Sequence, residues 1–460
     1  MSLRPVQKLL GDGLMARAAR SSAIVFTGYG VSQALRLASN LILTRLLFPE
    51  AFGMMTLISV ILIGLTLFSD IGISPSISQS KRGDDPAFLD TAYSLQAIRG
   101  VGLWLAACLL AYPASLFYDA PDLLHYLPVA SFAMVIIGLN TTRIYTAYRH
   151  LQLGRVTFVD VAAHVIQLVV IVLLAWMTRS VWALVVGDVI YAIAHLVLAK
   201  TFLAGHRNRF GWEKAAAHEL IHFGKWIFIS TVFNFFAQQG DKLVLGKYFS
   251  LGTLGIYNIG YYFGTFPLVI AREIVNRVLI PVYRDVAEDG SPESARRLIQ
   301  MRYAMTGSLM AMLILLAISG HALINTLYDA RYITAGAMLV LIAAAMMPEA
   351  IGISYDRAAL AAGDSKRFFV ISAARGTFGV LALLIGVHFW GAVGAIAGIG
   401  AAGLLLHPFL IWLAVKHRVW DPVHDLLFFS IAAATAILAV WWNLDEIHHM
   451  IATAKVVRPE

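Results

Sequence analysis

The amino-acid sequence predicts an all-α polytopic membrane protein of about 12–14 transmembrane helices, and three observations carry that expectation. Only 13% of the 460 residues are charged, against 59% hydrophobic, roughly half the charged share of an ordinary soluble domain. Mean hydropathy is +0.74. Apolar runs of about eighteen or more residues, each long enough to cross a bilayer, recur from end to end.

Apolar length and breaker residues place the spans near 21–46, 52–79, 91–117, 124–147, 156–177, 181–203, 219–247, 251–280, 296–326, 333–361, 367–389, 391–415 and 424–443. The first follows a basic segment, 1–20, that has no apolar stretch ending in a small-residue cleavage site, so this span is expected to act as an uncleaved insertion signal. The stretch TRLLFPEAFG at 44–53 ends the first span, with Pro49 and Glu50 forming an external turn. Pro348 loosens the tenth span, and His388-Phe389-Trp390-Gly391 turns the chain between the eleventh and twelfth. Cys108 is the only cysteine, so no disulfide within the chain is possible.

Basic residues set the orientation. With the N-terminus inside, the cytoplasmic segments hold Arg4, Lys8, Arg17, Arg20, Lys81, Arg82, Arg149, Arg155, Arg207, Arg209, Lys214, Arg284, Arg296, Arg297, Lys366, Arg367, Lys416 and Arg418, while YDAPDLLHY at 118–126 on the opposite face has none. This is the positive-inside pattern, and it accounts for the +8 net charge without any nucleic-acid partner. The longest polar connection, 204–218, is expected in the cytoplasm near the middle of the chain.

That midpoint loop separates two similar halves. A shift of 202 residues sets Arg45 on Lys247 and Gly53 on Gly255, and it sets Ser32, Arg36 and Asn40 on Asn234, Gln238 and Lys242. Each triplet runs i, i+4, i+8, one polar stripe on an apolar helix. The same shift pairs Asp70 with Arg272. A shift of 203 pairs Arg99 with Arg302, and a small insertion brings His164 onto Arg375. Repeats offset by an even number of spans share one polarity. The halves therefore form parallel six-helix lobes, 21–203 and 219–415, with an extra helix at 424–443 and substrate expected between the lobes.

Charged residues inside spans sharpen the functional reading. Each costs about 2.5–3.5 kcal/mol at mid-membrane, so Arg36, Asp70, Arg99, Asp160, His164, Asp188, Lys225, Asp241, Lys242, Arg272, Arg302, Glu349, Asp356 and Arg375 must line a hydrated cavity or pair with one another. Lys225, Arg99 and Arg302 lie near a cytoplasmic end, where snorkelling serves equally well. Asp241-Lys242 and Asp356-Arg357 could pair locally. The excess of cations points to an anionic substrate, because arginine holds phosphate bidentately and keeps its charge. The candidate substrate contacts are Arg36, Asn40, Gln238, Lys242, Arg272, Arg375, Arg302 and Arg99. Asp70, Asp160, Glu349 and Asp356 either relay protons or sodium ions, or neutralise nearby arginines. No cofactor and no resident metal is expected.

Several apparent motifs carry no chemistry. The GxGxxG at 398–403 lies inside an apolar helix, where Gly394 and Gly398 suit close helix packing. Gly240 to Lys247 misses the phosphate-loop spacing, and no ATPase domain accompanies it. The adjacent pair His448-His449 gives poor metal geometry. No nucleophile–base arrangement stands out, and no external loop is long enough for a polysaccharide polymerase or ligase.

The run Thr44-Arg45-Leu46-Leu47-x-Pro49-Glu50-x-Phe52-Gly53, then Phe68-Ser69-Asp70-Ile71-Gly72-Ile73 and Gln79, resembles the opening helices of bacterial Wzx-type polysaccharide flippases of the MOP exporter superfamily. Gly246-Lys247-Tyr248-Phe249, Gly255-Ile256-Tyr257 and Tyr261-Tyr262 extend the resemblance into the second half. It implies two six-helix lobes in a V-shaped bundle, alternating access, and an undecaprenyl-pyrophosphate-linked oligosaccharide as substrate. It also implies a bacterial inner membrane, with membrane lipids and other polysaccharide-assembly proteins as partners. The alternative within the superfamily is an ion-coupled multidrug or small-solute antiporter, which would suit a cavity richer in carboxylates.

Overall fold

The structure is a computed structural model that describes residues 14–275, 279, 282–283 and 291–454. Arg4, Lys8, Arg284 and part of the end of the 251–280 span lie outside the described residues, as do the side chains of Arg17, Arg20, Lys225 and Asp356.

Every described span is helical. In chain order they are α1 (Leu14–Leu46), α2 (Pro49–Phe68), α3 (Ile73–Gln79), α4 (Pro86–Phe117), α5 (Leu123–Gly138), α6 (Arg143–Arg149), α7 (Leu153–Thr178), α8 (Trp182–Phe202), α9 (Lys214–Tyr248), α10 (Leu251–Ile274), α11 (Pro292–Leu327), α12 (Thr334–Ala345), α13 (Met347–Gly352), α14 (Asp356–Ala361), α15 (Ser365–Lys416), α16 (Pro422–Trp442) and α17 (Leu444–Thr453). Among the described residues nine helical segments are long and apolar enough to cross a membrane, and the bent pair α5–α6 makes a tenth. One of the nine, α15, is 52 residues long and breaks at Gly391, whose φ of 62° and ψ of −138° make a hairpin at the expected turn. The 33-residue α1 and 35-residue α9 fall where the first and seventh spans were expected.

The chain divides into two compact units. One comprises the chain up to Leu47 together with Ile61–Thr231, and the other Phe48–Val60 together with the chain from Val232 on. The dividing line runs through α9, whose Ala216, Ala217 and Leu220 pack with Phe88, Leu89 and Ala92 of α4.

In the first unit α4 packs on α5, α7 on α8, and α1 on α7. Gly100 and Gly138 let α4 and α5 meet backbone to backbone; a Cβ on Gly100 would sit 2.6 Å from the Met134 carbonyl oxygen. The connection after α8 is pinned rather than loose. Asn208 accepts from the Thr142 backbone N–H at 2.9 Å, and Asp90 accepts from that of Arg209 at 2.9 Å.

In the second unit the tenth span, α12 to α14, is the central element, with 78% of its apolar window buried. It breaks at Met346, where Pro348 follows as an early residue of α13, because a proline nitrogen cannot donate to the preceding turn. Gly394 and Gly398 of α15 pack against the backbones of Gly386 and Ala382, the close approach predicted for them. Gly240 to Lys247 is continuous helix. The shift of 202 residues reappears as a reciprocal contact: a Cβ on Gly53 would run into the Leu251 carbonyl, and one on Gly255 into the Pro49 carbonyl. Leu251 is the residue that the repeat sets on Pro49.

Candidate functional site

The second unit gathers most of the expected substrate contacts. α9 supplies Asp241 and Lys242, α10 supplies Tyr257, Tyr261 and Arg272, α13 supplies Glu349, and α15 supplies Arg375. Tyr257 and Tyr261 lie one turn apart on one face of α10. The Tyr257 hydroxyl donates to Asp241 Oδ2 at 2.9 Å. The Lys242 ammonium stands 5.3 Å from the Tyr261 ring centroid, within cation–π range. Arg272 Nη2 donates to Glu349 Oε1 in a close ion pair, and the Arg375 charge also acts on Glu349. The Tyr261 hydroxyl lies within the electrostatic reach of Asp241, Glu349 and Arg272, which ties the set together.

Three cations thus meet two carboxylates. The Arg272 side chain remains 41% exposed and that of Glu349 26% exposed, so the pair is open to a ligand. The break before Pro348 is what brings Glu349 here, since it starts a new helix at this depth. Gln238 is one turn from Lys242 and donates to Asn234 Oδ1 at 2.7 Å, completing the polar stripe on α9.

The first unit distributes its candidates differently. Arg36 is exposed on α1, one turn from Asn40, and forms no ion pair with a carboxylate among the described residues. Arg99 is taken up locally: its Nε donates to Ser69 Oγ at 3.0 Å and its Nη2 to the Thr66 carbonyl at 2.7 Å, closing the end of α2. Asp70 accepts from the Gly72 N–H at 3.0 Å, in the turn where Gly72 has φ 65°. Only glycine takes that conformation at little cost. Asp160 Oδ1 lies 2.9 Å from His195 Nε2.

Arg302 is placed away from any open site. It is 1% exposed, donates to the Val419 carbonyl at 2.7 Å and to the Tyr283 hydroxyl at 3.1 Å, and its guanidinium carbon stands 4.5 Å from the Tyr355 ring centroid. Beside it Asp425 accepts from Tyr355 at 2.8 Å and Trp420 at 3.0 Å, and lies 3.0 Å from both His407 and His424. This arrangement locks α16 to α11, α15 and the tenth span. Neither Arg302 as a buried tie nor the Asp425 cluster was foreseen from sequence. Tyr257, Tyr261 and His195 were also missed, although each falls on the face its helix shares with an expected residue.

Comparison with known proteins identifies the family and the fold. Residues 42–358 match the family described as "Polysaccharide biosynthesis protein". The chain belongs to that family. It is 23% identical over 279 residues to the lipopolysaccharide biosynthesis protein WzxC of Escherichia coli, covering 58% of this chain and 53% of that protein. It is 21% identical over 201 residues to the teichuronic acid biosynthesis protein TuaB of Bacillus subtilis, covering 42% of this chain and 41% of that one. The chain thus spans about half the length of these curated relatives. Among solved structures, the lipid II flippase MurJ in an inward closed conformation superposes with a TM-score of 0.66 at 12% identity, over 94% of this chain and 96% of that one. An inward-facing multidrug resistance MATE transporter of the MOP superfamily superposes with a TM-score of 0.61 at 14% identity, over 84% and 94%. The fold of this multi-pass membrane protein is therefore of the MOP type.

Proposed function

We propose that the protein is a flippase that carries undecaprenyl-pyrophosphate-linked oligosaccharide repeat units from the cytoplasmic to the periplasmic leaflet by alternating access, for O-antigen, capsule or exopolysaccharide synthesis. The observation that carries this reading is the net-cationic cluster of Lys242, Arg272 and Arg375 against Asp241 and Glu349. Two guanidinium groups and an ammonium suit a pyrophosphate, with bidentate arginine contacts supplying orientation. Family membership and the names of the curated relatives support a polysaccharide substrate. The MurJ-like fold supports transport rather than catalysis.

On this reading the head group binds Lys242, Arg272 and Arg375 of the second unit, while the prenyl tail stays in lipid; Arg36 and Asn40 are substrate contacts proposed for the first unit by itself. Arg302 and Arg99 hold the helices that present these groups. The lobes are 21–203 and 219–415, in a bacterial inner membrane with the N-terminus in the cytoplasm. Coupling to a proton or sodium gradient runs through carboxylates such as Asp160 and Glu349. The exposed Arg272–Glu349 pair keeps an ion-coupled small-solute antiporter as the second reading, since an intramembrane carboxylate beside a ligand site can exchange ions.

Deleting the gene and analysing lipid-linked sugars tests the proposal. Complete repeat units accumulating on the cytoplasmic face, relieved by the wild-type gene but not by Arg36→Ala or Arg272→Ala, are expected. Normal surface glycan with altered drug sensitivity would favour the antiporter and overturn the flippase. Unpolymerised units reaching the periplasm would point to a polymerase instead.

A further inference from the structure

The hairpin of α7 and α8 in the first unit carries a polar ladder. α7 presents Asp160, His164 and Gln167 on one face, and the antiparallel α8 answers with His195, Tyr191 and Asp188. Asp160 Oδ1 meets His195 Nε2 at 2.9 Å. The His164 and Tyr191 rings stack with centroids 4.6 Å apart, and Gln167 donates to Asp188 Oδ1 at 2.8 Å. Six polar side chains on one helical hairpin are costly in a membrane unless they have a use.

The centre of the ladder is His195, whose side chain is 13% exposed. Its Nδ1 lies 3.0 Å from Asn140 Nδ2. With the imidazole neutral, Nε2–H donates to Asp160 and Nδ1 accepts from the Asn140 amide. That arrangement strands the other end of the amide: Asn140 is 6% exposed, and its Oδ1 is buried with no hydrogen-bond partner among the described residues. An imidazolium donates from both nitrogens. A half-turn of the Asn140 amide then brings the stranded Oδ1 onto Nδ1–H, while Nε2–H keeps Asp160. Both nitrogens of His195 are thus bonded in both protonation states, by a carboxamide that donates or accepts according to which end faces the ring.

Asn140 is also placed to report the change. It lies in the break between α5 and α6, which are bent by 59°. Gln96 Nε2 donates to the Ile137 carbonyl at 2.9 Å and to the Asn140 carbonyl at 3.4 Å, and Gln96 Oε1 accepts from Tyr145. Asp160, whose side chain is 38% exposed, leaves the pair open on one side. Among the described residues, the other charged and titratable groups around the ladder are Arg36 on α1, which acts on Tyr191 together with Asp160 and Tyr148 of α6, and His164 and Asp188 within the ladder. Arg36 opposes an added positive charge, and the two carboxylates favour it. A hard cation such as sodium prefers a shell of oxygens, whereas an imidazole between a carboxylate and an amide suits a proton.

We propose that His195, held between Asp160 and Asn140, is a proton-binding site whose state is read by the α5–α6 bend. The step is the reversible addition of one proton from water to the imidazole, with no other bond made or broken. It deepens the ion-coupling part of the transport reading by naming the ion and its residues.

The test titrates the full-length protein, labelled with ¹⁵N-histidine, in lipid nanodiscs, identifying the His195 signal by its loss in His195→Gln. The titration follows conversion between neutral and doubly protonated imidazole across about pH 5 to 8. Asp160→Asn lowers the midpoint by about 1–3 pH units. Asn140→Leu also lowers it, because Nδ1–H loses its acceptor, and Asn140→Asp raises it. A His195 that stays in one state across that range, or a midpoint that neither Asn140 variant moves, overturns the site. A second arm follows movement of undecaprenyl-pyrophosphate-linked oligosaccharide in proteoliposomes, where an imposed pH gradient should drive the wild type and not His195→Gln. Equal gradient-driven movement by both would overturn the coupling role, whereas no movement by either would count against the flippase reading and leave the titration to judge the site.

Discussion

Arg302 and Arg272 are both arginines on spanning helices of the same unit, and they do opposite things. Arg302 is 1% exposed, with backbone, hydroxyl and ring partners drawn from residues 283, 355 and 419. Arg272 keeps a side chain 41% exposed beside the Glu349 carboxylate. The difference teaches that an intramembrane cation does not by itself mark a ligand site. A guanidinium whose donors are already used by the fold is part of the scaffold. One that keeps an open edge beside a counter-ion can exchange partners with an incoming anion.

The largest expected effect breaks the scaffold side of that comparison. Arg302→Ala removes the tie between α11, the tenth span and the segment before α16, and leaves the Tyr283 hydroxyl and the Val419 carbonyl without this donor. Hydrogen bonds made by a charged donor contribute about 1.5–3 kcal/mol each, and Arg302 makes two. The protein should lose thermal stability and folded yield in detergent, with or without substrate, as fluorescence-detected gel filtration would show. An Arg302→Ala protein that folds normally but fails to transport would place Arg302 at the ligand instead.

Arg272→Ala should do the reverse, abolishing transport with little change in unfolding temperature. The double variant Arg272→Ala/Glu349→Gln sharpens the comparison. If Arg272 serves only to neutralise Glu349, removing both charges restores transport in a lipid-linked sugar assay. If Arg272 contacts the anion, the double variant stays as inactive as the single one.

The sequence made much of the architecture legible and much less of this contrast. Span lengths, the Gly391 hairpin and the Pro348 break follow from apolar length and from two residues with restricted or unusual backbones, all of them local signals. The repeat located Gly53 and Gly255, and these meet reciprocally in the second unit. Arg302 showed only that it lies near a span end, because its partners Val419 and Tyr355 are far away along the chain and uncharged. Asp425 escaped notice for a similar reason: its partners His407, Trp420 and Tyr355 converge from three segments. His195 could have been found by extending the spacing that starts at Asp188, since positions 188, 191 and 195 share a helix face.

An intermediate effect is expected at the glycine crossing. Gly53→Ala and Gly255→Ala each put a Cβ into a carbonyl of the facing helix, where only backbone movement can relieve the clash. Overpacking of this kind costs about 1–3 kcal/mol. The reciprocal geometry predicts similar losses of thermal stability for the two variants. A large loss for one and none for the other would show that the repeat does not govern this contact.

The smallest effect tests ion pairs that lie outside the spans, at the opposite extreme from Arg302. Arg82 donates to Asp85 and to Glu213, both at 2.6 Å, and all three side chains are about one-third exposed. The Arg82 hydrogen bond, followed by the Ala87 N–H, holds the Asp85 carboxyl below the usual aspartate value. A carboxyl lowered in the folded state adds stability that is fully present above its unfolded value, about 3.9, and is lost as pH falls through the folded value. Between pH 7 and 5 the contribution of this pair is therefore flat. Exposed pairs are also weakened by solvent screening and by salt. Asp85→Asn should lower the unfolding temperature by only a small fraction of the Arg302→Ala shift, and that deficit should shrink further in high salt and below about pH 4. A loss at Asp85 as large as the one at Arg302, unchanged by salt, would remove the distinction between buried and exposed guanidinium ties.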